Sequence, residues 1–280
     1  MLNPIRWLTP VLLLALALAW ASYPAAAEPS APRARVFLDP GHGGPDPGAV
    51  FYGDGFTVRE AQVNLRVALL TADRLRARGF EVFLSRESDD QAGGSEDANG
   101  DGRVTTRDGL QSVVDEANQS GADLFLSIHH NGSTNRAASG TEVYYCADRP
   151  FADASFGFGT LVLDHVLANL RAQGYVSYNR GVMDDSVLYT RGAYRGHLFV
   201  LGPLRSPRPA AGPRTDAGPR PDAFPSARSV PKLRATEMPG VLSEALFVSN
   251  PTEAWLLSQP RIQAALADAF ADAVDDYFTP

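Results

Sequence analysis

The sequence predicts an α/β fold: a single domain in which helices cover both faces of a central, mostly parallel, twisted sheet of about six strands. Short apolar runs alternate with longer segments that have apolar residues at helical spacing, which is typical of strands joined by right-handed crossovers. The 280 residues are 44% hydrophobic, enough for one sizeable core. The formal net charge of −7 argues against a general nucleic-acid binder.

Local signals predict each element in order. The strand segments are short apolar runs bounded by turn residues, at 35–38, 81–84, 123–128 and 141–145, with a last strand around Glu244. Helices are expected at about 58–78, where apolar residues have helical spacing, and at about 108–120, 159–173, 253–257 and 260–277. Gly79 is suited to end the first helix, and Pro260 is suited to begin the last. The glycine-rich stretch from Pro40 to Phe56 is expected to be a loop.

The N-terminal segment resembles an export signal over residues 1–27. Arg6 precedes an apolar stretch at 11–20, and three alanines at 25–27 precede the expected cleavage position. Residues 28–34 would then be a linker to one domain over 35–280. Export to the periplasm, cell wall or extracellular space is therefore expected, and the protein would be anchored in the membrane only if the signal stays uncleaved.

Two further features bear on organisation. Residues 203–231 carry eight prolines and are expected to be a loop or insertion within the domain. Their position motivates the hypothesis that residues 150–235 cover the site and that a protein activator uncovers it. Cys146 is the only cysteine, so an intrachain disulfide is excluded, and a buried strand position is expected. His165 and His197 are interpreted as structural.

Histidines follow two of the apolar runs. His42 lies in the glycine-rich turn after the first strand, and His129 and His130 end the run at 124–128. Because the ends of parallel strands meet at one crevice, histidines from both strands are expected to lie close together. Neighbours on an extended chain point to opposite sides, so only one of His129 and His130 faces the crevice, and spacing does not decide which. Zinc needs about three protein ligands, which leaves a third to be found.

Carboxylates complete the candidate site. Glu60 is either the third ligand or the partner of Thr57 in a helix capping box. Glu244 stands inside an apolar strand, where a carboxylate is costly unless it is paired or protonated. It is interpreted as a general base, with an ion pair to Arg86 or Arg107 as the alternative.

Four segments in this order resemble the zinc-dependent N-acetylmuramoyl-L-alanine amidases of the type 3 catalytic domain. They are DPGHGG at 39–44, ExxxNL at 60–65, SIHHN at 127–131 and PGVLSExxFxSN at 239–250. The resemblance implies a single α/β domain that acts on peptidoglycan. Its reaction would be hydrolysis of the amide between N-acetylmuramic acid and the L-alanine of the stem peptide.

The same resemblance implies roles for individual residues. It makes His42, Glu60 and His129 ligands of Zn²⁺ and Glu244 the catalytic carboxylate, while Asn64 and Asn131 support the site. Asp39 either orients His42 or only forms the Asp-Pro turn. Two rival functions are a zinc peptidase or deacylase acting on another cell-wall amide, and a wall-binding protein without activity.

A separate motif at 97–108 matches the calcium-loop pattern at five positions. The oxygen ligands of a structural Ca²⁺ would come from Asp97, Asn99, Asp101, the carbonyl of Arg103, and Asp108. Aspartate replaces the usual glutamate at the last position, which weakens bidentate ligation. The alternative is a polar turn without an ion.

Overall fold

A six-stranded sheet with helices on both faces forms the centre of the computed structural model, which describes residues 32–93, 96–98, 100, 102–188, 197–202 and 233–279. Its strands, in chain order, are β1 (Arg35–Pro40), β4 (Glu81–Leu84), β5 (Leu124–Asn131), β6 (Thr141–Tyr145), β7 (Asn179–Asp184) and β8 (Gly240–Phe247), while β2 (Val50–Gly53) and β3 (Phe56–Arg59) form a separate hairpin. The helices are α1 (Glu60–Ala77), α2 (Thr106–Ser120), α3 (Ala152–Ala172), α4 (Pro251–Leu257) and α5 (Pro260–Tyr277). The predicted fold class is confirmed.

The order of strands places the ends of β1, β5 and β8 side by side. The sheet runs β4-β1-β5-β8-β6-β7, and all neighbouring strands are parallel except β6 and β8. Because β6 runs opposite to β8, the beginning of β6 lies at the edge where β1, β5 and β8 end. That edge therefore collects side chains from four strands.

Residues of the sheet alternate between two cores. One face packs under α1, α3 and α5, with Leu38 and Leu126 fully buried there. The opposite face packs against α2 and the segment 197–202, with Phe37 and Phe125 stacked at a centroid distance of 5.9 Å. Adjacent strand residues such as Phe37 and Leu38 thus serve opposite faces, as a sheet covered on both sides requires.

The β2–β3 hairpin corrects the start of the first helix. Val50–Gly53 pairs with Phe56–Arg59, so α1 begins at Glu60 and not near Val58. Thr57 is an exposed strand residue, and Arg59 precedes α1 without any side-chain cap, so the capping box, one of the two alternatives for Glu60, does not form. The missed signal was the Asp54-Gly55 turn, which is typical of two-residue hairpins.

Other helix boundaries move toward the N-terminus. Helix α2 begins at Thr106, where Thr105 and Asp108 form a capping box, and α3 begins at Ala152. The proline-rich stretch 203–231 and the proposed signal at 1–27 lie outside the described residues. None of the described helices combines the length and apolar character that a membrane crossing needs.

Candidate metal centre

His42 is held in a fixed orientation at the end of β1. Its backbone φ of +64° is the one positive value of a non-glycine residue in the described part of the chain. The ring Nδ1 lies 2.9 Å from the Asp46 carboxylate. Since a carboxylate only accepts, Nδ1 carries the proton and Nε2 is the nitrogen that faces the site. Local backbone strain is therefore combined with a carboxylate that orients the ring.

Glu60 contacts both His42, in the loop after β1, and His129, in β5. Its Oε1 lies 3.0 Å from His42 Nε2 and 3.1 Å from His129 Nδ1, while its Oε2 accepts the Ala49 N–H at 2.8 Å. The three ligand atoms all lie within 4.8 Å of one another. The residue is buried because it begins α1 directly beneath the glycine-rich loop.

Glycines allow this close approach. A side chain at Gly41 would place its Cβ 2.0 Å from His129 Nε2. At Gly48, where φ is +63°, a Cβ would meet Glu60 Oε2 at 2.6 Å. The loop therefore needs glycine at both positions for the imidazoles and the carboxylate to meet.

The electrostatics of the cluster suit a divalent cation. Burial lowers the pKa of His42, but Glu60 and Asp46 outweigh burial and raise it to about 9. Burial opposes ionisation of Glu60, yet the hydrogen bonds and charges of His129 and His42 hold its pKa well below its usual range. Two imidazoles and one carboxylate are a donor set that fits Zn²⁺, which would take the place of the protons on the ring nitrogens that face Glu60.

His129 and His130 point to opposite sides of β5, as expected. His129 meets Glu60, while His130 is fully buried and its Nδ1 lies 2.7 Å from Asn64 Oδ1. Burial lowers the pKa of His130 to about 4, so its ring is neutral. Asn64 also donates to the Gly41 carbonyl at 3.1 Å. His130, which the sequence left unexplained, thus links β5 through α1 to the loop that carries His42.

Glu244 lies beside His129 in the register of the sheet. The two are partners across β5 and β8, and Glu142 of β6 is the partner of Glu244 on its other side. Glu244 Oε2 is buried and has no hydrogen-bond partner among the described residues. Burial, followed by the charges of Glu60 and Glu142, raises its pKa well above its usual value. A carboxylate of this kind is suited to exchange protons near neutral pH.

Glu142 belongs to the surroundings of the site, although sequence reasoning missed it. Its carboxylate accepts from Asn131 and Tyr144 and forms an ion pair with Arg180 of β7. Asn131, expected to support the site, donates its side-chain N–H to Glu142. An acidic residue at the second position of a short apolar strand was the available signal, but the antiparallel pairing that brings it to Glu244 cannot be seen in the sequence.

Asp39 and Arg86 have other partners than the sequence suggested. Asp39 does not orient His42, because its two carboxylate oxygens accept the hydroxyls of Ser85 and Ser127, each at 2.7 Å. Arg86 forms no ion pair with Glu244, since its guanidinium donates to backbone carbonyls around the loop, including that of Pro40 at 2.8 Å. Both residues hold the loop in place.

An open groove of about 590 Å³ adjoins the cluster. His42, Asp46 and His129 line one side. The other side is apolar and is formed by Val113 of α2, Leu242 of β8 and the segment Leu198, Phe199 and Val200. A polar reaction centre beside an apolar wall is typical of a ligand site.

In the described part of the calcium-loop motif, the carboxylates accept hydrogen bonds from backbone N–H groups. Asp97 accepts the N–H groups of Gly100 and Gly102 at 2.8 and 2.7 Å. Asp108 accepts from the Thr105 N–H at 2.7 Å as part of the cap of α2. Asn99 and Asp101 lie outside the described residues. These contacts favour the polar turn, and nothing in them supports Ca²⁺.

Comparison with known proteins decides the family. The family model described as N-acetylmuramoyl-L-alanine amidase matches residues 36–276. The chain belongs to this family. This match confirms the predicted family. Its members hydrolyse the amide between N-acetylmuramic acid and L-alanine in peptidoglycan, and binding of zinc is a general feature of them.

Individual amidases resemble the chain over most of its length. The N-acetylmuramoyl-L-alanine amidase AmiC of Neisseria meningitidis is 30% identical over 244 residues, which cover 86% of this chain and 52% of that protein. The germination-specific N-acetylmuramoyl-L-alanine amidase of Bacillus subtilis is 29% identical, with 87% and 79% covered. The chain thus spans about half of the first relative and most of the second.

Solved amidase structures share the fold. AmiC2 of Nostoc punctiforme matches with a TM-score of 0.60 at 23% identity, over 90% of this chain and all of that one. The CwlD amidase of Clostridioides difficile, solved in complex with the GerS lipoprotein, matches with a TM-score of 0.57 at 23% identity, over 87% and 98%. At these identities the likeness concerns the architecture alone.

Proposed function

We propose that this amidase works with one Zn²⁺ held by His42 Nε2, His129 Nδ1 and the carboxylate of Glu60, with Glu244 as the catalytic carboxylate. The observation that carries the proposal is the convergence of three donors, from the loop after β1, from α1 and from β5, next to a buried oxygen of Glu244 that has no partner among the described residues. Zn²⁺ in such a site polarises a carbonyl and makes water more acidic.

The residues of the chain supply positioning and proton transfer. Glu244 takes a proton from water as the water oxygen bonds to the lactyl carbonyl carbon of N-acetylmuramic acid. It then delivers that proton to the nitrogen of L-alanine as the C–N bond breaks. Its raised pKa suits a group that must first accept and then donate a proton near neutral pH. Asp46 holds the His42 ring, and Glu142 with Asn131 fixes the strand next to Glu244.

The setting of the reaction follows from the same assignment. The substrate is peptidoglycan, so the N-terminal segment would export the chain to the periplasm, cell wall or extracellular space. The CwlD amidase has been solved with a lipoprotein bound. A protein that binds and activates the present amidase is proposed on the same pattern, with residues 150–235 as the region it would act on.

Glu244→Gln tests the assigned roles. The variant keeps shape but loses the proton acceptor, so we expect digestion of purified sacculi to fall by about 10²-fold or more, with metal content and sacculus binding unchanged. Glu237→Gln is the matched control, because Glu237 is exposed and only seven residues away. Digestion by the Glu244 variant at the wild-type rate would contradict the mechanism.

The products separate the amidase from its rivals. Glycan chains that end in free lactyl groups, released together with intact stem peptides, are expected. Cleavage within the stem would indicate a peptidase, and release of acyl groups a deacylase. A chain that binds sacculi without releasing any product would be a wall-binding protein. Removal of metal by a chelator should abolish digestion, and Zn²⁺ should restore it.

A further inference from the structure

Cys146, Asp185 and His197 form a second cluster of metal-ligand side chains, separate from the first. They come from three segments: Cys146 directly follows β6, Asp185 directly follows β7, and His197 begins the segment 197–202. One ligand atom of each lies within 4.8 Å of the others. The cluster shares no residue with the proposed catalytic centre.

The ligand atoms of Cys146 and Asp185 both approach the same ring nitrogen of His197. His197 Nδ1 lies 3.2 Å from Cys146 Sγ and 2.6 Å from Asp185 Oδ1. A catalytic thiol would instead use the two ring nitrogens in relay, one toward the sulfur and the other toward the carboxylate. Here a single nitrogen faces both partners, and Cys146 is 2% exposed, so substrate cannot reach it. The geometry fits a common centre and does not fit a nucleophilic triad.

Asp185 and His197 are also held by contacts outside the cluster. Asp185 Oδ2 accepts the Leu198 N–H at 2.8 Å, which leaves Oδ1 for the cluster. His197 Nε2 lies 3.3 Å from the Asp148 carboxylate. A carboxylate on the distal nitrogen is the usual way in which a ligand histidine is oriented. Asp185 is fully buried, where a carboxylate is costly unless it is paired, coordinated or protonated.

We propose that Cys146, Asp185 and His197 bind a second transition-metal ion of the Zn²⁺ class, which has a structural role. Sulfur, imidazole nitrogen and carboxylate oxygen are the three ligand types that Zn²⁺ accepts in tetrahedral sites. The ion would take the position between Sγ, Nδ1 and Oδ1, with the thiolate formed by loss of the Cys146 proton on binding.

The position of this site gives it a consequence for the enzyme. Leu198, Phe199 and Val200 directly follow His197 and form part of the apolar wall of the groove beside His42 and His129. An ion at the second site would tie the start of this wall to the ends of β6 and β7. It would thereby fix the shape of the groove without taking part in the reaction.

Substitution with Co²⁺ tests the proposal directly. The chain has one cysteine, so a thiolate-to-Co²⁺ charge-transfer band in the near ultraviolet can come only from Cys146. Metal-free protein titrated with Co²⁺ should develop this band and bind a second equivalent of metal. Cys146→Ser should lose the band and one of the two ions, whereas His42→Ala should lose one ion and keep the band.

Controls keep the result decisive. Circular dichroism establishes whether each variant is folded. If Cys146→Ser does not fold, Asp185→Asn takes its place: it keeps the thiol, and its thiolate band should need a higher Co²⁺ concentration to develop. Zn²⁺ should raise the melting temperature of His42→Ala but not of the double variant with Cys146→Ser. Wild-type protein that shows no thiolate band at saturating Co²⁺ would overturn the proposal. That outcome would leave the catalytic centre untouched, because His42, Glu60 and His129 bind Co²⁺ without sulfur.

Discussion

At the residue scale, a few polar contacts decide how the His42 imidazole is presented. The Asp46 carboxylate fixes the Nδ1 proton, and the positive φ of His42 turns the ring toward Glu60. Asp39, within β1, instead accepts hydrogen bonds from two serine hydroxyls. The orientation of the ligand thus depends on a residue four positions after it and not on the one three positions before.

Removal of the Asp46 carboxylate tests this orientation. Asp46→Ala should lower Zn²⁺ affinity by about 10- to 100-fold, because the ring loses the acceptor that fixes its tautomer and direction. The measurement is competition with a chromophoric chelator. Asp54→Ala is the control, since Asp54 is an exposed aspartate in the neighbouring hairpin turn. Equal affinities of the two variants would show that Asp46 has no orienting role.

The protonation of His42 predicts opposite pH effects with and without metal. In chelator-treated protein, Glu60 and Asp46 outweigh burial and raise the pKa of His42 from 6.5 to about 9. A raised pKa in the folded state adds stability below about pH 6.5, and this stability is lost as the pH rises toward 9. With Zn²⁺ present, the ion competes with the proton for Nε2, so stability should rise over the same window.

Urea unfolding at several pH values, with chelator and with Zn²⁺, measures both slopes. In the chelator-treated His42→Ala variant, the loss of stability between about pH 6.5 and 9 should be smaller than in the wild type. Parallel curves for wild type and variant would contradict the assignment of this pH dependence to His42.

At the scale of elements, the beginning of each helix determines what its first residues do. The hairpin of β2 and β3 delays α1 to Glu60, so this carboxylate stands free of any cap and reaches the histidines. In α2, by contrast, Asp108 and Thr105 satisfy each other's backbone groups in a capping box. Two similar Thr-x-x-acid patterns thus differ in structure. Thr57 belongs to a paired strand, whereas Thr105 lies in a loop and is free to cap α2.

The two threonines make a matched test of this difference. Thr105→Ala should destabilise the protein by about 1 kcal/mol, because the first turn of α2 loses its side-chain acceptor. Thr57→Ala should change stability by less than about 0.5 kcal/mol, since Thr57 is an exposed strand residue. The midpoints of denaturant unfolding give both values. A larger cost at Thr57 would mean that the cap forms there in solution.

At the scale of the whole molecule, the mixed sheet assembles the site, and the described residues on either side of the long insertion pack together. The antiparallel entry of β6 brings Glu142 next to Glu244. On the α2 side of the sheet, Val200 and Met238 belong to the same core, and the Thr236 hydroxyl donates to the Val200 carbonyl at 3.1 Å. The described residues that flank the insertion therefore lie next to each other.

Deletion of residues 205–230 tests the role of the insertion. Closing a shorter loop between adjacent ends costs little free energy, so the deletion should shift the melting temperature by only a few degrees. If the insertion covers the groove, digestion of sacculi should increase. Unchanged activity would remove the idea that this stretch is inhibitory, and loss of folding would show that it carries part of the core.

The sequence by itself determined the fold class, the family and the candidate ligands. Apolar runs and helical spacing are local properties, and histidines at strand ends are forced toward one edge once the strands are parallel. Buried Glu244 stood out for the same reason, because a carboxylate in an apolar strand is costly.

Only the tertiary structure decided which partners these residues have. The contact of buried His130 with Asn64, the replacement of Asp39 by Asp46, and the contact of Glu142 with the site all depend on register and strand direction. The cluster of Cys146, Asp185 and His197 depends on three segments that meet only in the folded chain. Such contacts join residues distant in sequence, and no local periodicity encodes them, because the sheet order is set by packing of the entire domain.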